Sequence, residues 1–356
     1  MTSSPLSIPP GATARVSIID STARISNVEI TYFLSGPPIP GFTHLGTVPA
    51  WSFLIESPTT NQKILFDLAV PPDYQTSFSP ALASRIQSMS WTVTADKHIS
   101  QILTSNGVSP SEINAIIWSH SHFDHIGDPS TFPPSTDLVV GPGFAKDFLP
   151  AYPTNPDSAL HERYFAGRKV VEIDFDGASS SLRIGGFRAF DFFGDGSFYL
   201  LDTPGHMQGH MSGLARTSVN PDTFIMMGGD LVHHGGELRP SPLLKIPREV
   251  RLMGGGCCCP GEVFERIKVE GGGGKADEPF FGPAMGFDIA EARETIRKAQ
   301  GFDADENVWF VFAHDPTILG AVDLFPATAN GWKEKGWREK VLWKFLEDFR
   351  GVLGEE

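Results

Sequence analysis

Five of the chain's eleven histidines stand in short polar clusters, each of which closes an apolar, β-prone run. Ala115-Ile116-Ile117-Trp118 empties into Ser119-His120-Ser121-His122-Phe123-Asp124-His125-Ile126-Gly127-Asp128. Phe198–Leu201 empties into Asp202-Thr203-Pro204-Gly205-His206, Thr223–Met227 into Gly228-Gly229-Asp230, and Val308–Ala313 into His314-Asp315. Imidazole and carboxylate groups together suit zinc and other borderline divalent metals. In an extended or turning loop, alternate residues point to the same side, so His120 and His122 can share one ion. Asp124 and His125, just past the turn, are then placed to face a second ion nearby. A polar loop fixed by a buried strand is where mixed α/β folds put their chemistry.

The elements that must position these residues follow from local patterning. Ala14–Asp20, Val28–Phe33, Trp51–Ser57 and Lys63–Asp67 read as the short strands of an opening antiparallel sheet, after a Ser/Pro-rich leader over 1–12. Residues 71–95, polar and rich in Ser and Pro, read as an insertion or lid. Ile99–Ser105 is helix-like, and Ser109-Pro110-Ser111-Glu112 is a capping box with proline at the first helical position. In the second half, Leu182–Phe192 and Met211–Ala215 add strands. Asp288 and Glu291 cap a helix that carries Ile289, Ala292, Ile296 and Ala299 on one face. From Gly235 to about Gly286 the chain turns glycine-rich and weakly patterned, with Gly254–Gly256, Cys257, Cys258, Cys259 and Gly271–Gly274. It reads as a long surface insertion. The alternative, thiolate binding of a metal, is disfavoured because consecutive side chains rarely converge on one ion. Val341, Phe345, Phe349 and Val352 mark a C-terminal amphipathic helix over about 334–353, which either closes the fold or makes a homodimer.

Composition narrows the function classes. Of 356 residues, 40% are hydrophobic and 20% charged, enough apolar matter for a sizeable core. Lys+Arg 28 against Asp+Glu 42 gives a net charge of -14, which argues against a nucleic-acid partner and an anionic membrane. Three adjacent cysteines cannot make a disulfide framework, no Asn-x-Ser/Thr sequon occurs, and no signal-like segment opens the chain. A soluble cytoplasmic protein, not bound to membrane, is the expectation.

The sequence resembles the metallo-β-lactamase superfamily, whose His-x-His-x-Asp-His signature stands here as His120–His125. The likeness extends to the Gly-His at His206, to Asp230 and to His314, in the family's order, over roughly residues 14–325. Ser-His-Ser-His-Phe-Asp-His-Ile-Gly, Thr-Pro-Gly-His-Met-Gln-Gly-His-Met-Ser and Ala-His-Asp look most like its N-acyl homoserine lactonase branch. The resemblance implies an α/β fold, specifically an αββα sandwich, as a single domain over 1–356. It implies two divalent ions, zinc foremost. One would be held by His120, His122 and His206, the other by Asp124, His125 and His314, with Asp230 bridging. Members acting on β-lactams commonly use a Cys ligand, and no cysteine lies near a ligand position here. Di-iron members put an acid where His122 stands, which disfavours redox chemistry.

Paired metal ions lower the pKa of a shared water from 15.7 to about 7, so carbonyl attack needs no Ser or Cys nucleophile. Asp124 is the expected catalytic group that orients this water and moves its proton. The lactonase branch often carries a tyrosine three residues after the bridging aspartate. His233, followed by His234, stands there instead and is expected to contact substrate or to pack beneath the site. His210 reads as a supporting residue. The expected substrate is a small-molecule lactone or ester. A thioesterase releasing acyl or polyketide chains, or of glyoxalase type, is the nearest alternative, but a basic patch near the site would be needed. The one concentration of Lys and Arg is Lys333–Lys344. A metal-binding protein without catalysis is the alternative from another class.

Overall fold

A computed structural model of the chain describes residues 6–177, 181–251, 258–272 and 274–353. Residues 1–5 of the leader, Gly254–Gly256, Cys257 and Gly273 lie outside the described residues, as do the side chains of Cys258 and Val352.

Two sheets make the frame. In the first, seven strands run in the order Val170–Glu172, Asp137–Val140, Ala115–Ile117, Gln62–Phe66, Val48–Ser57, Arg15–Ser26, Thr92–Thr94. The second has six, in the order Arg183–Ile184, Phe187–Asp191, Phe198–Asp202, Met211–Ser218, Thr223–Met227, Val308–Val311. Strand alternation sends neighbouring residues to opposite faces. Val16, Ile18, Phe53, Ile55 and Ile117 therefore meet Leu200, Ile225, Met227 and Val311 of the second sheet in the inter-sheet core. Their neighbours Ile19, Leu54, Leu65 and Ile116 face outward, onto a layer that includes Leu82, Ile86 and Leu103. The outer face of the second sheet is covered by the helix Ile289–Ala304, through Ile296, Ala299 and Phe302. Asp288 caps that helix by accepting from the Glu291 amide. Helix, sheet, sheet, helix is the expected αββα order, and among the described residues no helix is long and apolar enough to cross a membrane.

Four stretches differ from their sequence reading, the first being Val28–Phe33, where only Val28–Glu29 is a strand, paired with His44–Leu45, and Ile30–Phe33 is a helical turn. Residues 71–95 are not a loose insertion. Ser79 caps a helix over Pro80–Ser88 whose Leu82, Ala83 and Ile86 are buried, and Thr92–Thr94 pairs with Arg24–Ser26 as an edge strand. Four-residue spacing with small polar residues between the apolar ones hid an amphipathic helix. The stretch 235–286 is not peripheral either. Ile246, Val250, Phe264, Phe280 and Phe281 join the outer core of the first sheet, and Gly282–Pro283 pairs with Leu34–Ser35. Aromatics spaced far apart in sequence gave no period to detect. The C-terminal segment is a short helix, Trp337–Val341, followed by a tighter 3-10 turn series, Lys344–Leu353. Its Val341, Phe345 and Phe349 are buried within this chain, so the apolar face closes the fold.

Candidate metal centre

The ligand candidates converge because parallel strands deliver them from the same edge. Gln62–Phe66 runs parallel to Ala115–Ile117, which brings Asp67 beside the loop that begins at Ser119. Thr223–Met227 runs parallel to Val308–Val311, which brings Asp230 beside His314. The two edges are laced together by backbone bonds, Met211 N to Ser119 O at 2.8 Å and Trp51 N to Ala313 O at 3.0 Å. Gly229 adopts φ +56°, and a Cβ there would lie 2.8 Å from His210 Nε2, so the turn into Asp230 needs glycine.

Two groups of ligand atoms result. Atoms of His120, His122, His206 and Asp230 lie within 4.8 Å of one another, as do those of Asp124, His125 and His314. His122 Nδ1 is 2.9 Å from His120 Nε2 and 3.0 Å from His206 Nε2. Asp230 spans both groups. Its Oδ2 is 3.4 Å from His206 Nε2, while its Oδ1 is 3.0 Å from His125 Nε2 and 3.1 Å from His314 Nε2. Asp124 completes the second group, with Oδ2 3.3 Å from His314 Nε2.

The outward nitrogens of His314 and His125 are fixed by neighbours. His314 Nδ1 donates to the Pro49 carbonyl at 2.8 Å, which turns Nε2 toward Asp230. His125 Nδ1 is 2.8 Å from Asp67 Oδ2, and the other Asp67 oxygen accepts from the Ser119 amide at 2.7 Å. Asp67 was not marked out by sequence, although it closes the run Ile64-Leu65-Phe66 in the same manner as the candidate ligands close theirs. His210, expected as a supporting residue, sits with Nδ1 2.9 Å from the Thr203 carbonyl and accepts the Asp230 amide at Nε2, 3.1 Å away.

Burial sets the charge states. It pulls His120 and His206 well below the usual imidazole range, and takes His122 and His210 to about 4. His125 and His314 suffer the same burial, but Asp230, with Asp67 or Asp124, outweighs it and both are raised. Burial pushes the Asp230 carboxyl up, while the charges of His125 and His314 hold it well below the usual carboxylate range.

His233 is buried, with Nε2 3.4 Å from Asp230 Oδ2 and Nδ1 3.7 Å from Glu237 Oε2. Burial lowers its pKa, and the two carboxylates raise it to a net value of about 9. Phe33 stacks on its face at 4.1 Å. Glu237, also unmarked by sequence, accepts the His233 amide at 2.6 Å. His234 instead ties the C-terminal segment, with Nε2 3.1 Å from Asp348 Oδ2.

A cavity of about 710 Å³, partly open to solvent, meets the centre at Ser121, His122, Asp124 and Asp230. Its remaining walls are mainly aromatic and sulfur-bearing, including Phe33, Trp91, Phe123 and Met207. His233 does not line it; Phe33 stands there instead, while His233 and Phe33 border a narrow apolar crevice. Cys259 lies at the edge of the outer core of the first sheet, away from both ligand groups.

The family model of the Metallo-beta-lactamase superfamily matches residues 45–309. The protein named gamma-lactamase FDB1 of Fusarium pseudograminearum (strain CS3096) is 41% identical over 349 residues, spanning 95% of this chain and 83% of its own length. The metallo-hydrolase mfmC of Annulohypoxylon moriforme is 41% identical over 358 residues, spanning 98% of this chain and 91% of its own. Among solved structures, a quorum-quenching N-acyl homoserine lactone hydrolase aligns with a TM-score of 0.55 at 17% identity, covering 90% of this chain and 100% of that one. At that identity the structural likeness speaks to the fold. The family match over most of the chain, the two relatives and the αββα frame agree: the chain belongs to the metallo-β-lactamase superfamily of hydrolases.

Proposed function

We propose that the chain opens a lactone, or cleaves a similar carboxylic ester, with two divalent ions of which zinc is foremost. The observation that carries this is Asp230, whose two oxygens face two separate groups of imidazole nitrogens at the end of a cavity. The donor set fits metal ions. His125 Nε2 and Asp230 Oδ1 are buried and 3.0 Å apart, yet neither has a hydrogen-bond partner. Orphaned polar atoms at such a separation suit a shared cation better than they suit each other.

His120, His122, His206 and Asp230 Oδ2 would hold one ion, and Asp124, His125, His314 and Asp230 Oδ1 the other. Bound ions supply Lewis-acid activation of water and of the scissile carbonyl. Asp124 reaches the cavity wall as well as the second group, so it is the group placed to take a proton from water and return it to the leaving oxygen. His233, screened from the larger cavity by Phe33, acts on Asp230 Oδ2 and steadies the bridge. The aromatic and methionine walls hold the body of the substrate and exclude water.

A cyclic amide is the second reading, favoured by the relative named gamma-lactamase. The attack is the same, and the departing amine requires the proton that Asp124 returns. The thioesterase reading needs a basic patch near the site, and no Lys or Arg of residues 333–344 is among those lining the cavity. Lys333 is bonded to Asn307, Lys335 to Asp323, Arg338 to the Asp303 carbonyl and Lys344 to that of Thr317. Metal analysis of purified protein, with turnover of lactones, lactams, thioesters and phosphotriesters, tests the proposal. Lactone or lactam opening is expected, abolished in His122→Ala while a cooperative thermal transition persists at a lower midpoint. Turnover of phosphotriesters alone, or activity surviving metal removal, would overturn it.

A further inference from the structure

The larger cavity has a second charged feature that the hydrolytic reading leaves without a task. Leu82, Arg85 and Met89, at helical spacing along one face, all line it. Their helix, Pro80–Ser88, is held firmly. Ser79 Oγ accepts the Leu82 amide at 3.2 Å and donates to the Ser158 carbonyl at 2.6 Å, while Leu82, Ala83 and Ile86 are buried. A leucine and a methionine on that face extend the apolar wall. An arginine between them does not.

Arg85 is the sole Lys or Arg among the described residues lining the cavity. It makes no ion pair with any described carboxylate, in contrast to Arg163, which pairs with Asp128 at 2.8 Å, and Arg239, which pairs with Asp303 at 2.6 Å. The surrounding wall offers it no acid, since the cavity's only carboxylates, Asp124 and Asp230, already face imidazoles. Arg85 is exposed, so its guanidinium stays solvated at the cavity's mouth, where, in a chain of net charge -14, it is available to an incoming anion.

Building on the hydrolase reading, we infer that Arg85 recognises an anionic group on the substrate, separate from the carbonyl under attack. The substrate class is then a lactone or lactam with an apolar, ring-sized body and a carboxylate or comparable anion. The guanidinium fork suits planar bidentate capture of a carboxylate. It also compensates the repulsion that an anion meets on approaching an acidic protein. A neutral acyl-chain lactone would leave Arg85 unused.

The test pairs two aryl lactones, γ-phenyl-γ-butyrolactone bearing a para-carboxylate and the same lactone bearing a para-carboxamide. The metal-loaded enzyme should prefer the carboxylate, chiefly through KM. Arg85→Gln should cut the carboxylate-to-carboxamide ratio of kcat/KM by about tenfold, the scale of one charge-assisted hydrogen bond, and Arg85→Lys should restore part of it. An initial ratio near one, or a ratio unmoved by Arg85→Gln, overturns the inference. If neither lactone opens, the hydrolase reading is at fault for this substrate type, and calorimetry decides Arg85 separately. There para-(tetrahydrofuran-2-yl)benzoate and its benzamide are titrated into the same metal-loaded protein. Tighter benzoate binding that disappears in Arg85→Gln supports the inference. Benzoate binding that persists in the variant reflects capture by the metals and overturns it.

Discussion

Around His122 the candidate ligands are three imidazoles and one carboxylate oxygen, and burial keeps all three rings below their usual pKa. Around His314 the same burial acts, yet His125 and His314 are raised, because Asp230 lies against both and Asp67 or Asp124 adds to it. The first group is prepared by dryness: its nitrogens are already bare and wait for a cation. The second is prepared by negative charge, which attracts a cation and a proton alike. Asp230 turns one oxygen to each setting, so the difference would let one carboxylate serve two ions of unequal character.

Removing the shared element should erase the contrast. Asp230→Ala is expected to empty both groups and reduce turnover by about a thousandfold or more, the scale of losing a principal stabiliser of transition-state charge. Metal content per chain, read by elemental analysis beside the rate, checks this. One ion retained at full occupancy would mean the first group does not depend on the bridge. A gentler change should sharpen the contrast. Asp67 touches His125 directly and His120 only through Ser119, so with Asp67→Asn chelator competition should show one of two ions weakened more than the other, by about 10–100-fold. Equal weakening of both would count against separate groups.

The smallest effect is one of pH. A raised pKa means His125 and His314 hold protons at a higher pH than an ordinary imidazole, and protons exclude the ion. On acidification from neutrality, the second group should therefore lose metal first. The first group, with His122 near 4, should hold its ion to lower pH. Dialysis at stepped pH followed by metal counting would show a single coincident loss if the two groups are in fact equivalent.

The residues that would touch metal were legible because each closes its own apolar run, and a strand end can be seen in a sequence. What supports them was not. Asp67 closes a run too, but its task exists only because the strand Gln62–Phe66 lies parallel to Ala115–Ile117, a pairing that joins residues some fifty positions apart. Glu237 was hidden inside a glycine-rich stretch whose burial depends on Phe281 and the C-terminal Phe345 and Phe349. His233 stands three residues after Asp230, but the Phe33 that stacks on its ring comes from the short helix Ile30–Phe33, and sequence offers no clue to that stacking. The layer order came from the resemblance to the family rather than from the chain's own periodicity. The outer layer over 71–95 could not be read, because one buried face of a nine-residue helix looks much like a polar loop.

The lacing between the two sheet edges has a consequence for how the chain matures. His120, His122, Asp124 and His125 are delivered by the first sheet, His206, Asp230 and His314 by the second, and each ligand group draws on both. Neither half alone can offer a complete set, so tight capture of an ion is a report that the halves have docked in register. An ion at a thousand times its dissociation constant adds about 4 kcal/mol to the folded state alone. Metal supply would thus act as a final fastening: a chain starved of it would be less durable as well as inactive.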